Sequence, residues 1–278
     1  MNETLQSPVI GNEKRWYCLS VFYAREYWDT LISEILRFYQ ERQNQFSDCL
    51  LTFSKEKGEH IQVVFTASGN SKNNYSNEIE TYFQTFVDQN PSVSQTPFPY
   101  GQAVWCNYPN NSLTWYKLRL PDYSEQYICF HQRTIEVSLN LLAGDFSEDT
   151  FFSLGIYLLT KALCLIDRTE QKDALSQALR DASVGFPHFV YAAKELMSEI
   201  DIKEIGEAIE SYLNENDDEH SAELTAWLKE VKDLLKQNSY NRLCTFICEI
   251  TGLKGLRHLM ILELMNNRFN SRQDEDRR

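Results

Sequence analysis

The chain has 278 residues, 42% of them hydrophobic and 13% aromatic, which is enough to bury a large core. Its formal net charge is −13, and no Lys/Arg cluster of useful length interrupts that acidity, so direct nucleic-acid binding is excluded as the expected role. With 10 glycines, 7 prolines and no low-complexity tract, the composition is that of an ordered chain rather than a linker.

The opening segment, Met1 to Lys14, is polar and lacks an apolar secretory core, so a cytoplasmic location is expected. There the seven cysteines (Cys18, Cys49, Cys106, Cys129, Cys164, Cys244 and Cys248) are expected to stay reduced. Cys244 and Cys248 are four apart and share a helix face, but two thiols do not close a zinc site, and no metal is expected.

Trp16 to Tyr23 is aromatic and β-favouring, which predicts a strand buried on both faces. Trp28, Leu31, Ile32, Ile35, Phe38 and Tyr39 then recur at helical spacing. Cys49–Phe53 and Ile61–Phe65 flank the polar turn Lys55 to Gly58, a hairpin signal. Ser68 to Tyr75 reads as a loop. Asn77 is the expected cap of the next helix, with Glu80 as its capping-box partner and Ile79, Tyr82, Phe83, Phe86 and Val87 on its apolar face. After a proline-bearing loop, Gln89 to Gly101, strands are expected at Gln102–Cys106 and Trp115–Leu120.

Beyond Tyr127 the period is helical. Helices are expected near Arg133–Leu142, Asp149–Ile166, Gln171–Ala182, Phe189–Met197, Ile202–Leu213, Ala222–Leu235 and Tyr240–Asn267. The apolar run Phe151 to Ile166 is interrupted by Ser153, Thr160 and Lys161 and is too short to span a bilayer, so no membrane is expected. The acidic run Asn214 to Glu219 reads as a solvated connection, since it lacks the spaced ligands and central Gly of a calcium loop. The charged tail from Asn270 to Arg278 is expected to fray. The whole is α+β: a mixed sheet with a hairpin in the N-terminal half, packed on a mostly helical C-terminal half. We expect one unit, sheet-rich over 15–130 and helical over 131–269.

Four ordered segments carry a family resemblance. Trp16-Tyr17 opens an aromatic strand that reaches Tyr23. Gly58-Glu59-His60-Ile61-Gln62-Val63 is similar to a hairpin strand usually written as Pro or Glu followed by His-Leu-Arg-Leu-Arg. Tyr123-Ser124-Glu125-Gln126-Tyr127, followed by Asp145 and Ser147, resembles a Glu-Arg-Tyr-Gly-Gly segment with its later acidic-Ser pair. Asn241-Arg242-Leu243 resembles a terminal Asn-Arg-Leu helix start. In this order they resemble the C-terminal elimination domain of class I lantibiotic dehydratases, which also occurs as standalone proteins of thiopeptide-type bacteriocin pathways.

The resemblance implies β-elimination from a glutamylated Ser or Thr in a ribosomally made precursor peptide, beside a large glutamylating dehydratase and without a cofactor. A base removes the Cα proton, and a cation or acid eases departure of the carboxylate. The sequence departs from the family where that chemistry sits. Gln62 replaces the strand arginine. Gln237, Asn238, Ser239 and Tyr240 occupy positions near which a histidine is usual. Gln126-Tyr127-Ile128-Cys129 replaces Arg-Tyr-Gly-Gly. Arg119, Arg133, His131 and His60 are then the catalytic candidates, and Glu59, Gln62, Gln126, Tyr127, Ser239 and Tyr240 the peptide-binding ones. Two alternatives stay open. One is cycloaddition that closes a nitrogen heterocycle from two dehydrated residues, which depends on positioning and hydroxyl donors. The other is a non-catalytic subunit that holds the peptide by strand addition.

Overall fold

The computed structural model describes residues 9–11, 14–68, 74–93, 108–116, 124–197, 202–215 and 220–275. The fold is α+β and falls into two compact units, Met1–Tyr123 with Gly144–Ser147, and Ser124–Ala143 with Glu148–Arg278.

The first unit is built on β1 (Val9–Gly11), β2 (Lys14–Phe22), β3 (Asp48–Ser54), β4 (His60–Ser68) and β5 (Ser112–Trp115), with α1 (Trp28–Glu41) and α2 (Ser76–Gln89). Strand order is β1-β2-β4-β3, with β5 also pairing β2. Every described pairing is antiparallel, where a mixed sheet was expected. The cause is local: hairpin and return connections deliver neighbouring strands in opposite directions.

Trp16 to Phe22 are all buried, as the apolar run of β2, broken only by Ser20, predicts. Alternation then sorts the two sheet faces. Tyr17, Leu19 and Val21 share a face with Val63, Phe65, Leu51 and Phe53. On that face Phe38 of α1 and Phe83 of α2 approach the Phe65 ring at 5.1 and 6.2 Å, and Trp28 stacks on Phe53 at 5.4 Å. The opposite face is polar in its middle, where Ser20, Gln62 and Thr52 stand side by side across three strands. The β3–β4 turn holds Lys57 and Gly58 at φ 63° and 122°, the left-handed geometry that the glycine permits.

The expected box at Asn77 does not form. The N-cap of helix α2 lies two residues earlier, at Tyr75, without a side-chain capping bond, and Asn74 Oδ1 accepts from the Ser76 N–H instead. Glu80 accepts from Trp115 Nε1 at 2.9 Å, which ties α2 to β5. The expected strand at Gln102–Cys106 and the segment 117–120 lie outside the described residues.

The second unit contains α3 (Glu125–Leu142), α4 (Glu148–Cys164), α5 (Gln171–Gly185), α6 (Val190–Met197), α7 (Ile202–Asn214), α8 (Ala222–Leu235), α9 (Tyr240–Ile250) and α10 (Leu256–Glu275). Helix α3 starts well before Arg133 because Ser124 caps it, its Oγ accepting from the Tyr127 N–H. Ser221 and Ser239 cap α8 and α9 in the same way. The single helix expected from Tyr240 to Asn267 is two, parted where Gly252 and Gly255 turn at φ 72° and 69°. Two buried polar groups are paired across the bundle: Trp227 Nε1 donates to Thr134 Oγ1 at 3.0 Å, and the Tyr240 hydroxyl donates to the Leu159 carbonyl at 2.9 Å. No described helix is long and apolar enough to cross a membrane.

Candidate functional site

In the sheet unit, Glu59, His60 and Gln62 follow one another at the start of β4. His60 is 2% exposed and lies against Phe22 with ring centroids 4.4 Å apart. Its Nδ1 donates to the Gly58 carbonyl at 2.8 Å, which leaves Nε2 without a proton. Burial holds its pKa below the ordinary value, so His60 is a neutral imidazole that closes the turn. Glu59 accepts from the backbone N–H of Arg25 and sits 3.5 Å from the Arg25 guanidinium, a partner that the sequence reading did not single out. Gln62 is half-buried in the polar cross-strand row with Ser20 and Thr52. Arg119 lies outside the described residues.

In the helical unit, α3 packs against α9. Tyr127 meets the Phe246 ring edge-on at 4.9 Å, and the buried His131 lies one turn below Tyr127 with its ring at 6.1 Å. Gln126 is half-buried in the first turn of α3. Arg133 points outward and pairs with Glu136 at 2.6 Å, and that carboxylate raises its pKa further. Ser239 is occupied as the α9 cap. Tyr240 is fully buried, and burial keeps its phenol protonated far above neutral pH. Among the nominated residues, Glu59, His60 and Gln62 are neighbours along the chain with separate partners, and Gln126, Tyr127 and His131 sit on the helix α3 that packs on the α9 of Ser239 and Tyr240.

A further cluster escaped the sequence reading. A hollow of about 210 Å³ opens among α3, α4 and the start of α8, lined by Val137, Leu141, Leu224, Tyr157, Glu215 and His220, with Asn140 and Ser221. At its side Lys161 is 4% exposed, with Nζ 2.7 Å from Glu215 Oε2 and 3.2 Å from His220 Nε2. The Tyr157 hydroxyl donates to the same Glu215 oxygen at 3.3 Å. Burial and the Glu215 charge both push the Tyr157 pKa up, so the phenol remains a donor. The signals were present but separate: a lysine inside an apolar helix, and a glutamate in an acidic connection.

Among the described residues this is an antiparallel sheet backed by two helices, followed in the chain by eight further helices. Neither a protein-family model nor a curated protein matches the chain. A solved structure with similar architecture is the pyridine synthase TbtD from thiomuracin biosynthesis. It aligns with a TM-score of 0.60 and 13% sequence identity, over 92% of this chain and 98% of that chain. At that identity the likeness is one of fold.

Proposed function

We propose that the chain modifies a ribosomally made precursor peptide in a thiopeptide-type pathway, and that it does so by closing a nitrogen heterocycle from two dehydrated residues. The observation that carries this reading is the fold shared with a pyridine synthase over nearly the full length of both chains. Fold alone does not assign a reaction, and the residues supply the second support.

Glutamate elimination needs a base, plus a cation or acid at the leaving carboxylate. Gln62 stands where the family's strand arginine would be and carries no charge. His60 is buried and committed to its turn, and Arg133 is exposed in an ion pair of a kind that contributes little. Heterocycle closure asks instead for two reacting segments held in contact and for neutral hydrogen-bond donors. That demand suits a polar cross-strand row and protonated tyrosines better. The precursor peptide is the partner in this reading. A glutamylating dehydratase would act before this protein rather than on the same bond.

The test is incubation with a precursor peptide that already carries dehydrated serines. The expected product is a peptide with the ultraviolet absorption of a new aromatic nitrogen ring, formed with loss of water and of the amide substituent on one ring carbon, so that no oxidant is needed. Binding of that peptide with no ring formed, in the presence of the full pathway extract, would favour the non-catalytic subunit instead.

A further inference from the structure

On the sheet face turned away from α1 and α2, one row is polar across four strands. Thr114 of β5 stands beside Ser20 of β2, Ser20 beside Gln62 of β4, and Gln62 beside Thr52 of β3. The rows on either side are closed: Cys18, Val64 and Leu50 are buried along one, and Phe22 and His60 along the other. Between them Gln62, Thr52 and Thr114 stay half-buried, so solvent reaches the row. Ser20 is 4% exposed, and among the described residues neither its hydroxyl nor the Gln62 carboxamide has a hydrogen-bond partner. A buried polar group without a partner weakens the fold. Two of them side by side in mid-sheet mark a place where a ligand supplies the missing bonds.

The chemistry of the row narrows that ligand. None of the three rows contains Asp, Glu, Lys or Arg, and burial holds the His60 pKa below its ordinary value, so that ring is neutral. A charged group brought there would lose water without gaining a counter-ion; a neutral one avoids that cost. A carboxamide presents an N–H donor and a carbonyl acceptor side by side, and a backbone amide answers both. The Ser20 hydroxyl, one strand away, can donate or accept.

We propose that Gln62 and Ser20 hold a backbone amide of the dehydrated segment, and that their uncharged row accepts a neutral segment and refuses one carrying a charged glutamyl group. The choice of a peptide amide rests on the peptide-modifying reading above. Binding is measured apart from ring formation, so the two readings fail separately.

The experiment is an NMR titration of the full chain, isotopically labelled at its glutamine side-chain amides, with acetyl-dehydroalanyl-alaninamide. The Gln62 signal is identified by its loss in Gln62→Leu. Counterparts with each backbone amide in turn replaced by an ester, and the O-glutamylseryl counterpart, serve as comparisons. A saturable shift of the Gln62 amide is expected with the dehydrated peptide. At least one ester counterpart and the glutamylated peptide should bind about fivefold more weakly. In calorimetry Ser20→Ala and Gln62→Leu should each weaken the dehydrated peptide about fivefold, while their urea midpoints stay at or above that of the unaltered chain, because neither side chain has a bond to lose. Binding without a Gln62 shift, unchanged affinity in every ester counterpart, equal binding of the glutamylated peptide, or variants that lose stability and keep affinity would each overturn the proposal. So would no binding at all. A responding Gln62 in a chain that forms no ring would uphold this proposal and remove the cyclisation reading.

Discussion

An ammonium with only 4% of its side chain exposed persists in a folded protein when its charge is answered nearby, and at Lys161 the answer is Glu215 at 2.7 Å. Removing the two partners should therefore have unequal consequences. Glu215→Gln leaves a buried cation unpaired and should cost about 2 kcal/mol, below the ~3–5 kcal/mol of fully buried pairs because Glu215 is itself partly solvated. Lys161→Met replaces the cation with an apolar chain of similar length and should cost less than about 1 kcal/mol. Urea unfolding of both variants decides this; equal losses would mean that the pair contributes only packing. His258 provides a second residue-scale prediction. It is 2% exposed, its Nε2 has no hydrogen-bond partner among the described residues, and burial pushes its pKa down to about 4. The native state therefore takes up the proton less readily than the unfolded chain. The stabilising contribution of the neutral ring is complete above the ordinary histidine value of 6.5 and is lost as pH falls from there to about 4. The loss should reach about 3 kcal/mol. His258→Phe, which cannot protonate, should flatten the stability profile in that window, and an unchanged slope would assign the acid sensitivity to other groups.

At the scale of elements, the caps and turns make the sharpest predictions. Ser239→Ala removes the side chain that accepts from the Arg242 N–H and should cost about 1 kcal/mol in thermal or urea unfolding. Gly255→Ala forces an L side chain into φ 69° and brings a Cβ within 2.9 Å of the Phe189 ring, so about 1–2 kcal/mol should be lost. These same features explain what could be read along the chain. Helix α8 spans the expected Ala222–Leu235, because its apolar stripe and the Ser221 cap agree. The β3–β4 hairpin was readable from Gly58 between two apolar runs. The break between α9 and α10 was missed, because the helical period resumes after Gly252 and Gly255 and hides two turns that only positive φ reveals. The early start of α3 was missed because Ser124 sits in a segment read by likeness to a family motif rather than for its cap. The hollow was illegible for a different reason. Lys161 and Glu215 lie on separate elements, and no local period records which helix brings a counter-ion to which lysine.

For the molecule as a whole, the net charge of −13 predicts that association with a basic peptide, if the proposed function holds, is sensitive to salt. Raising ionic strength from about 0.05 to 0.5 M should weaken the association several-fold by shortening the range of attraction. The central claim is about the reaction. It is tested most directly by giving the purified protein an equimolar mixture of two forms of one precursor peptide, one glutamylated on its serines and one already dehydrated, and following both by mass spectrometry. Our account predicts that the dehydrated form is consumed and yields a cyclised product while the glutamylated form persists. Loss of glutamate from the glutamylated form, with the dehydrated form untouched, would contradict it.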